Sequence, residues 1–423
     1  MRHGIFCFRN DLRLHDQPAL TKALQESDVL DLVYFFDPKI WNSGYPRRIR
    51  THRANFILEC LHALRQEIEK RGGFLLIKHD APVEALPRLM ERLGATHCYM
   101  ESHSAADEVW EEKELSNLVD LELEEGSTLV HPEDVSFSDE GFPETFTKFR
   151  KQIEKNFSPR PCIPPPIQFH CSIKQSDPIP PLAQFFMQAP ERDKRSPFTF
   201  EGGENAAQQR ISHWMFKEGH LGNYKETRNG LIGHEFSSRL SPWLAQGCIS
   251  PRQVYENIRK YESERGANQS TYWLIFELLW RDFFYFLSRY HGSKIFQAKG
   301  IHPERPAREN NPNQLDILLA WKQGKTNDAF VNANMNELRL TGWMSNRGRQ
   351  NTASYLINEL GVAWRLGAQW FEEMLIDYDP CNNYGNWLYL SGYGSDPRPN
   401  RMFNLQKQAA TYDPNFEYRN LWS

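Results

Sequence analysis

This sequence of 423 residues is informative first through what it lacks. No apolar run approaches the ~18 residues that a membrane helix needs, so no membrane partner is expected. Met1-Arg2-His3-Gly4-Ile5-Phe6-Cys7-Phe8 has neither the long apolar core nor the cleavage site of a signal peptide, and cytoplasmic residence is the expectation. The seven cysteines (Cys7, Cys60, Cys98, Cys162, Cys171, Cys248 and Cys381) are odd in number, scattered, and include no Cys-x-x-Cys. Reduced thiols fit better than disulfides, and no metal site is expected. No Gly-x-Gly-x-x-Gly follows the first apolar run, where Arg9-Asn10-Asp11-Leu12-Arg13-Leu14-His15-Asp16 stands instead, so a dinucleotide fingerprint is absent. There is no internal repeat. Neither sign of charge dominates, with 50 Lys+Arg against 54 Asp+Glu and a net charge of −4. The imbalance is uneven, however, because the half from Glu191 onward is weakly basic and the half before it acidic. That split suits one domain able to meet phosphate, or simply a solvated surface.

What is present divides the chain into three. Over residues 1–130, the short apolar runs Ile5–Phe8, Val29–Asp37, Phe74–His79 and Thr96–Met100 read as buried strands. Arg47–Arg71 and Pro82–Leu93 between them carry helical spacing. Strand–helix alternation predicts an α/β fold with a parallel, Rossmann-like sheet. Residues 131–202 read as an interdomain linker, since Ser158–Pro181 is too rich in proline for a helix or central strand. Residues 203–423 read as an all-α domain.

Four motifs in the last segment carry candidate chemistry. Tyr224-Lys225-Glu226-Thr227-Arg228 and Ser237-Ser238-Arg239-Leu240-Ser241 supply hydroxyls and cations just before a helical run, suited to a pyrophosphate or to ordinary helix capping. Glu277, Trp280, Arg281 and Phe284 share one helical face, which could grip a flat π system or belong to the core; a buried carboxylate there needs a partner. Asn346 and Gln350 are four apart, and their amides suit base edges or a solvated helix. Asp377 and Asp379, ahead of Asn382 and Asn383, suit ribose hydroxyls, an N–H edge or an Asx turn.

Taken together and in this order, these motifs resemble the photolyase/cryptochrome family. The similarity spans nearly the whole chain, from Phe8-Arg9-Asn10-Asp11-Leu12-Arg13 onward. Ser345-Asn346-Arg347-Gly348-Arg349-Gln350-Asn351 and Asn382-Asn383-Tyr384-Gly385-Asn386-Trp387-Leu388-Tyr389 resemble the cryptochrome DASH branch in particular. The resemblance implies an N-terminal antenna domain and a C-terminal helical domain that binds FAD. Tyr224, Ser237, Ser238, Arg239, Leu240 and Ser241 would hold the phosphates. Arg349, Asp377, Asp379 and Asn383 would hold the isoalloxazine. Trp387, Trp364 and then Trp321 at the surface would relay electrons. Glu277, Trp280, Asn346, Gln350 and Tyr389 would form a lesion pocket, with Glu277 protonated or sharing a proton when the site is filled, a state that burial against Trp280 would favour. Arg281 and Arg347 would touch flanking DNA phosphates.

The implied activity is blue-light-driven lyase repair of cyclobutane pyrimidine dimers in DNA, with single strands favoured and no obligate protein partner. The alternative is a blue-light photoreceptor or DNA-binding regulator without turnover, although the chain stops at Leu421-Trp422-Ser423 without a long extension. Two departures stand out. Asn332 replaces a family aspartate. His103 stands where relatives place an acid for a methenyltetrahydrofolate antenna, which argues against that second cofactor.

Overall fold

The computed structural model describes residues 2–41, 44, 46–137, 141–396, 398 and 402–423. The N-terminal third alternates strand and helix: β1 (His3–Phe8), α1 (Pro18–Glu26), β2 (Val29–Phe35), α2 (Pro38–Trp41), α3 (Thr51–Glu69), β3 (Leu75–Lys78), α4 (Pro82–Leu93), β4 (His97–Glu101), α5 (Ala106–Ser116) and β5 (Leu121–Glu124). All pairings are parallel, in the order β3-β2-β1-β4-β5. The four strands expected from apolar runs are present. The fifth, Leu121-Glu122-Leu123-Glu124, is a half-buried edge strand, so it carries no continuous apolar signal.

Alternation along β1 sends Ile5 and Cys7 to one face, against Leu86, Leu89 and Met90 of α4. Phe6 and Phe8 go to the other face, where the core continues without a break into the helical domain through Trp243 and Leu279. The chain order reverses between β1 and β4, the place where open α/β sheets usually bind ligands. Here arginines occupy it. Arg9 donates to the Glu101 carbonyl and to Glu112, and Arg13 donates to Glu101 Oε2 at 2.9 Å. This explains a Rossmann-like sheet without a dinucleotide fingerprint.

The segment between the domains is irregular through Ser158–Pro181, as its prolines require, but residues 131–202 also hold the amphipathic helix α6 (Phe146–Ile153). The rest is helical: α7 (Glu204–Ile211), α8 (Tyr224–Thr227), α9 (Ser241–Ala245), α10 (Pro251–Arg265), α11 (Gln269–His291), α12 (Gln314–Lys322), α13 (Ala329–Thr341), α14 (Asn346–Ser354), α15 (Trp364–Met374), α16 (Pro380–Ser391), α17 (Leu405–Tyr412) and α18 (Glu417–Leu421). The longest, α11, starts at a capping box in which the Asn268 side chain accepts from the Ser270 and Thr271 amides. It crosses α16 closely. A Cβ on Gly385 would lie 2.3 Å from Phe284, so only glycine permits this approach. Among the described residues, no helix is long and apolar enough to cross a membrane, and all seven cysteines are free.

Candidate functional site

The helices α8, α9, α11, α14 and α16 enclose one cavity of about 660 Å³, large enough for an organic cofactor with room beside it. Every residue expected to hold the cofactor lines it: Tyr224, Ser237, Ser238, Arg239, Leu240, Ser241, Arg349, Asp377, Asp379 and Asn383. So do Glu277, Trp280, Asn346, Gln350, Tyr389, Arg281, Arg347 and Trp387. Tertiary packing thus brings together residues that sequence reasoning assigned to two ligands.

On the deep side, Arg349 is fixed by its Nε to the Met344 carbonyl at 2.9 Å and pairs with Asp377 Oδ2 at 2.8 Å. The other oxygen, Asp377 Oδ1, is buried without a hydrogen-bond partner. An orphaned buried acceptor inside a cavity is a place for a ligand donor. Asp379 caps α16, accepting from the Asn382 amide at 2.7 Å, so the Asx-type capping reading holds as well. Asn383 donates its side-chain NH2 to the Ala368 carbonyl at 3.0 Å, which leaves the amide oxygen for an N–H in the cavity. Arg239 adopts a left-handed backbone (φ 54°), uncommon for a non-glycine residue, and its guanidinium is partly engaged. It lies 3.8 Å from the centre of the Trp343 ring and donates to the Gly233 carbonyl. Its Nε–H is buried without a hydrogen-bond partner, so a side-chain donor remains for a ligand oxygen at this wall.

On the outer side, Trp280 stacks on Phe146 of α6 at 3.8 Å and 12°, and meets Tyr389 edge-to-face at 5.9 Å. Phe146 thus backs the cavity-lining Trp280 from the linker segment. Asn346 and Gln350 share a face of α14, whose N-cap Ser345 accepts from the Gly348 amide at 3.0 Å. Arg347 turns the other way from Arg349, to Asn229 Oδ1 at 2.9 Å and Gln350 Oε1 at 3.0 Å.

Three expectations change. Glu277 is not a carboxyl isolated against Trp280: Arg228 forms an ion pair with it, and such a partner favours the charged form. Arg281 does not face outward. It donates to the Ser127 and Leu244 carbonyls and lies 4.0 Å from Asp379, at the cavity floor between the domains. Trp321 is not at the surface. It is 0 % exposed, its Nε1 donates to the Thr352 carbonyl, and its ring is 6.3 Å from that of Trp387. Trp364 is also buried and does not line the cavity; its Nε1 donates to Ala298 O.

Arg228, Asn382 and Arg398 also line the cavity and had no assigned role. Arg228 closes the quoted motif Tyr224-Lys225-Glu226-Thr227-Arg228, so its presence was legible but its partner was not. Asn332 lies elsewhere: its side chain clips the start of α13 by accepting from the Thr326 amide and hydroxyl, both at 2.8 Å. His103 is half-buried with its Nε2 enclosed and unpartnered, and desolvation holds its pKa well below the ordinary histidine value. The space beside it is about 20 Å³, the size of a single water.

An α/β domain joined to a helical domain around a flavin-sized cavity defines a class of two-domain flavoproteins, and comparison with known proteins specifies it. Residues 5–167 match the DNA photolyase family and residues 273–423 match the FAD binding domain of DNA photolyase. The chain is 43 % identical over its whole length to cryptochrome DASH of Danio rerio, covering 83 % of that protein. It is 43 % identical to cryptochrome DASH of Synechocystis sp. over 98 % of this chain and 86 % of that one. The crystal structure of a Synechocystis cryptochrome superposes with a TM-score of 0.93 at 40 % identity, over 100 % of this chain and 88 % of that chain. A bacterial class III photolyase from Agrobacterium tumefaciens gives 0.85 at 25 % identity, over 100 % and 86 %. The chain belongs to the photolyase/cryptochrome family, on its cryptochrome DASH branch, and carries that family's FAD-binding domain. The orphaned Asp377 oxygen, the Arg349 pair and the hydroxyl-rich wall at Ser237–Ser241 fit FAD.

Proposed function

We propose that this protein is a blue-light-driven, FAD-dependent lyase that splits cyclobutane pyrimidine dimers in DNA, preferentially in single strands. The observation that supports this reading is the shared cavity: the residues suited to the flavin and those suited to two fused adjacent bases line one space. Bound FAD supplies light absorption and a transferable electron. The protein's own residues do the rest. Trp280 and Tyr389 offer ring faces and edges to an extruded lesion, while Asn346 and Gln350 offer amides to its base edges. Glu277 lies one turn before Trp280; once the lesion displaces Arg228, the carboxylate takes a proton from solvent and shares it with a dimer carbonyl. Placed in a site that excludes water, such a donor stabilises developing negative charge. Trp387, with Trp364 behind it, supplies electrons when the flavin is oxidised.

Single strands are favoured because a duplex adds the unpairing and unstacking of the lesion, a few kcal/mol. With a net charge of −4, the chain has no net excess of cations to offset that. The test is repair of a defined thymine dimer by the reduced, FAD-loaded protein under blue light, in single-stranded and duplex oligonucleotides. Splitting is expected in both or in single strands alone, with single strands faster. An intact dimer in both contexts defeats the proposal and leaves a photoreceptor without turnover.

A further inference from the structure

The relay in the proposed function needs an end that meets solvent, and none of its three tryptophans supplies one. Trp387 and Trp364 are buried, and Trp321 is fully enclosed, with Phe371 (6.0 Å) and Trp387 as its ring neighbours. A charge that reached Trp321 would be at a dead end. The helices α15 and α16 pack so that Trp364 and Gly367 on one face Tyr384 and Trp387 on the other. Trp364 meets Tyr384 edge-to-face at 6.2 Å. One turn along, Gly367 leaves no space for a Cβ, which would sit 2.3 Å from Trp387 Cη2. Both pairs are three residues apart, so Trp364 and Tyr384 lie one turn from the point where Trp387 meets Gly367.

Tyr384 is half-buried, and its hydroxyl donates to Glu372 Oε2 at 3.0 Å. Glu372 in turn accepts from Arg48 Nε at 2.6 Å. Burial, followed by the charge of Glu372, pushes the tyrosine pKa up, so the resting residue carries its proton. The other aromatic candidate on α15, Trp370, has Lys322 and Arg50 over its ring at 4.7 and 5.2 Å. Its Nε1 is buried with no hydrogen-bond partner to take a proton, whereas the Tyr384 hydroxyl already donates to a carboxylate.

We propose that Tyr384 is the terminal electron donor of the relay, reached from Trp387 through Trp364, with Glu372 as the acceptor of its proton. This rests on the reading that Trp387 and Trp364 donate to the flavin. With oxidised flavin bound and excited by light, Trp387 would give up one electron and regain it from Trp364, which would regain it from Tyr384. As Tyr384 loses its electron, the O–H proton passes to Glu372. The flavin is reduced by one electron, Tyr384 becomes a neutral radical, and both tryptophans return to their resting state. An external thiol then restores the tyrosine.

The test uses oxidised, FAD-loaded protein followed by flash photolysis and freeze-quench electron paramagnetic resonance. Wild type is expected to give a tyrosyl radical, with a solvent deuterium isotope effect on its formation. Tyr384→Phe removes only a hydroxyl. It is expected to abolish that signal, leave a tryptophan radical, and shorten charge separation by about tenfold or more. Glu372→Gln is expected to keep the tryptophan radical and suppress the tyrosyl one. A tyrosyl signal that persists in Tyr384→Phe, or an unchanged lifetime, overturns the proposal. Trp387→Phe separates the two claims: wild-type radical formation in that variant overturns the relay itself.

Discussion

Arg228 and Glu277, 49 residues apart, close an ion pair on the wall of the cavity, with the Arg228 guanidinium also lying 5.4 Å from the Trp273 ring centre. The carboxylate therefore has a cationic partner in the resting protein, and in the proposed function that cation would move to a DNA phosphate when the lesion displaces it. An unpaired charge in that position would be costly. The pair gives Glu277 a defined resting state, which burial against Trp280 alone would not.

Glu277→Ala is expected to retain FAD and to lose repair yield per photon by about tenfold or more, since a single positioned donor contributes on that scale or above. Arg228→Ala should weaken binding of undamaged and damaged strands alike, with a smaller salt dependence. Flavin absorbance, repair per absorbed photon and binding titrations at two ionic strengths check both. Unchanged repair yield in Glu277→Ala would remove that residue from the chemistry.

Asn346→Ala and Gln350→Ala should reduce discrimination between dimer-containing and undamaged strands by about 1–3 kcal/mol each, because amides on a base edge carry recognition. Competition binding measures this directly. An equal loss for both strands would assign these amides to the DNA backbone instead.

Denatured protein is expected to release FAD but no stoichiometric folate. The cavity beside His103 is about 20 Å³, and the ring that faces it is neutral at physiological pH, because burial lowers its pKa. Chromatography of the released chromophores checks this, and a stoichiometric folate would show that the domain interface opens.

Glu337 is fully enclosed on α13, and burial pushes its pKa up from 4.5 to about 7, against the Tyr418 hydroxyl and the charges of Arg239 and Arg349. The folded chain thus keeps a proton that the unfolded chain releases near 4.5. Between those values folding takes up a proton, so this group's contribution falls as pH rises through the window and stays lost above it. Glu337→Gln should remove about 1–3 kcal/mol of that slope. The measurement is the difference in unfolding free energy between wild type and variant from pH 5 to 8; a constant difference would contradict the assignment.

The sequence by itself determined the elements and their faces. Apolar runs marked four of five strands, Pro82–Leu93 is the observed α4 to the residue, and spacing placed Glu277, Trp280, Arg281 and Phe284 on one wall. These follow from local periodicity, which a strand or helix expresses wherever it packs. Tertiary structure alone decided which residues meet across the chain. It paired Arg228 with Glu277, buried Trp321 beside Trp387, turned Arg281 to the Ser127 carbonyl, and put Tyr384 next to Trp364. A helix pattern states which side of a residue is apolar. It does not state which distant helix covers that side, and burial, ion pairing and a path to solvent all depend on that second fact.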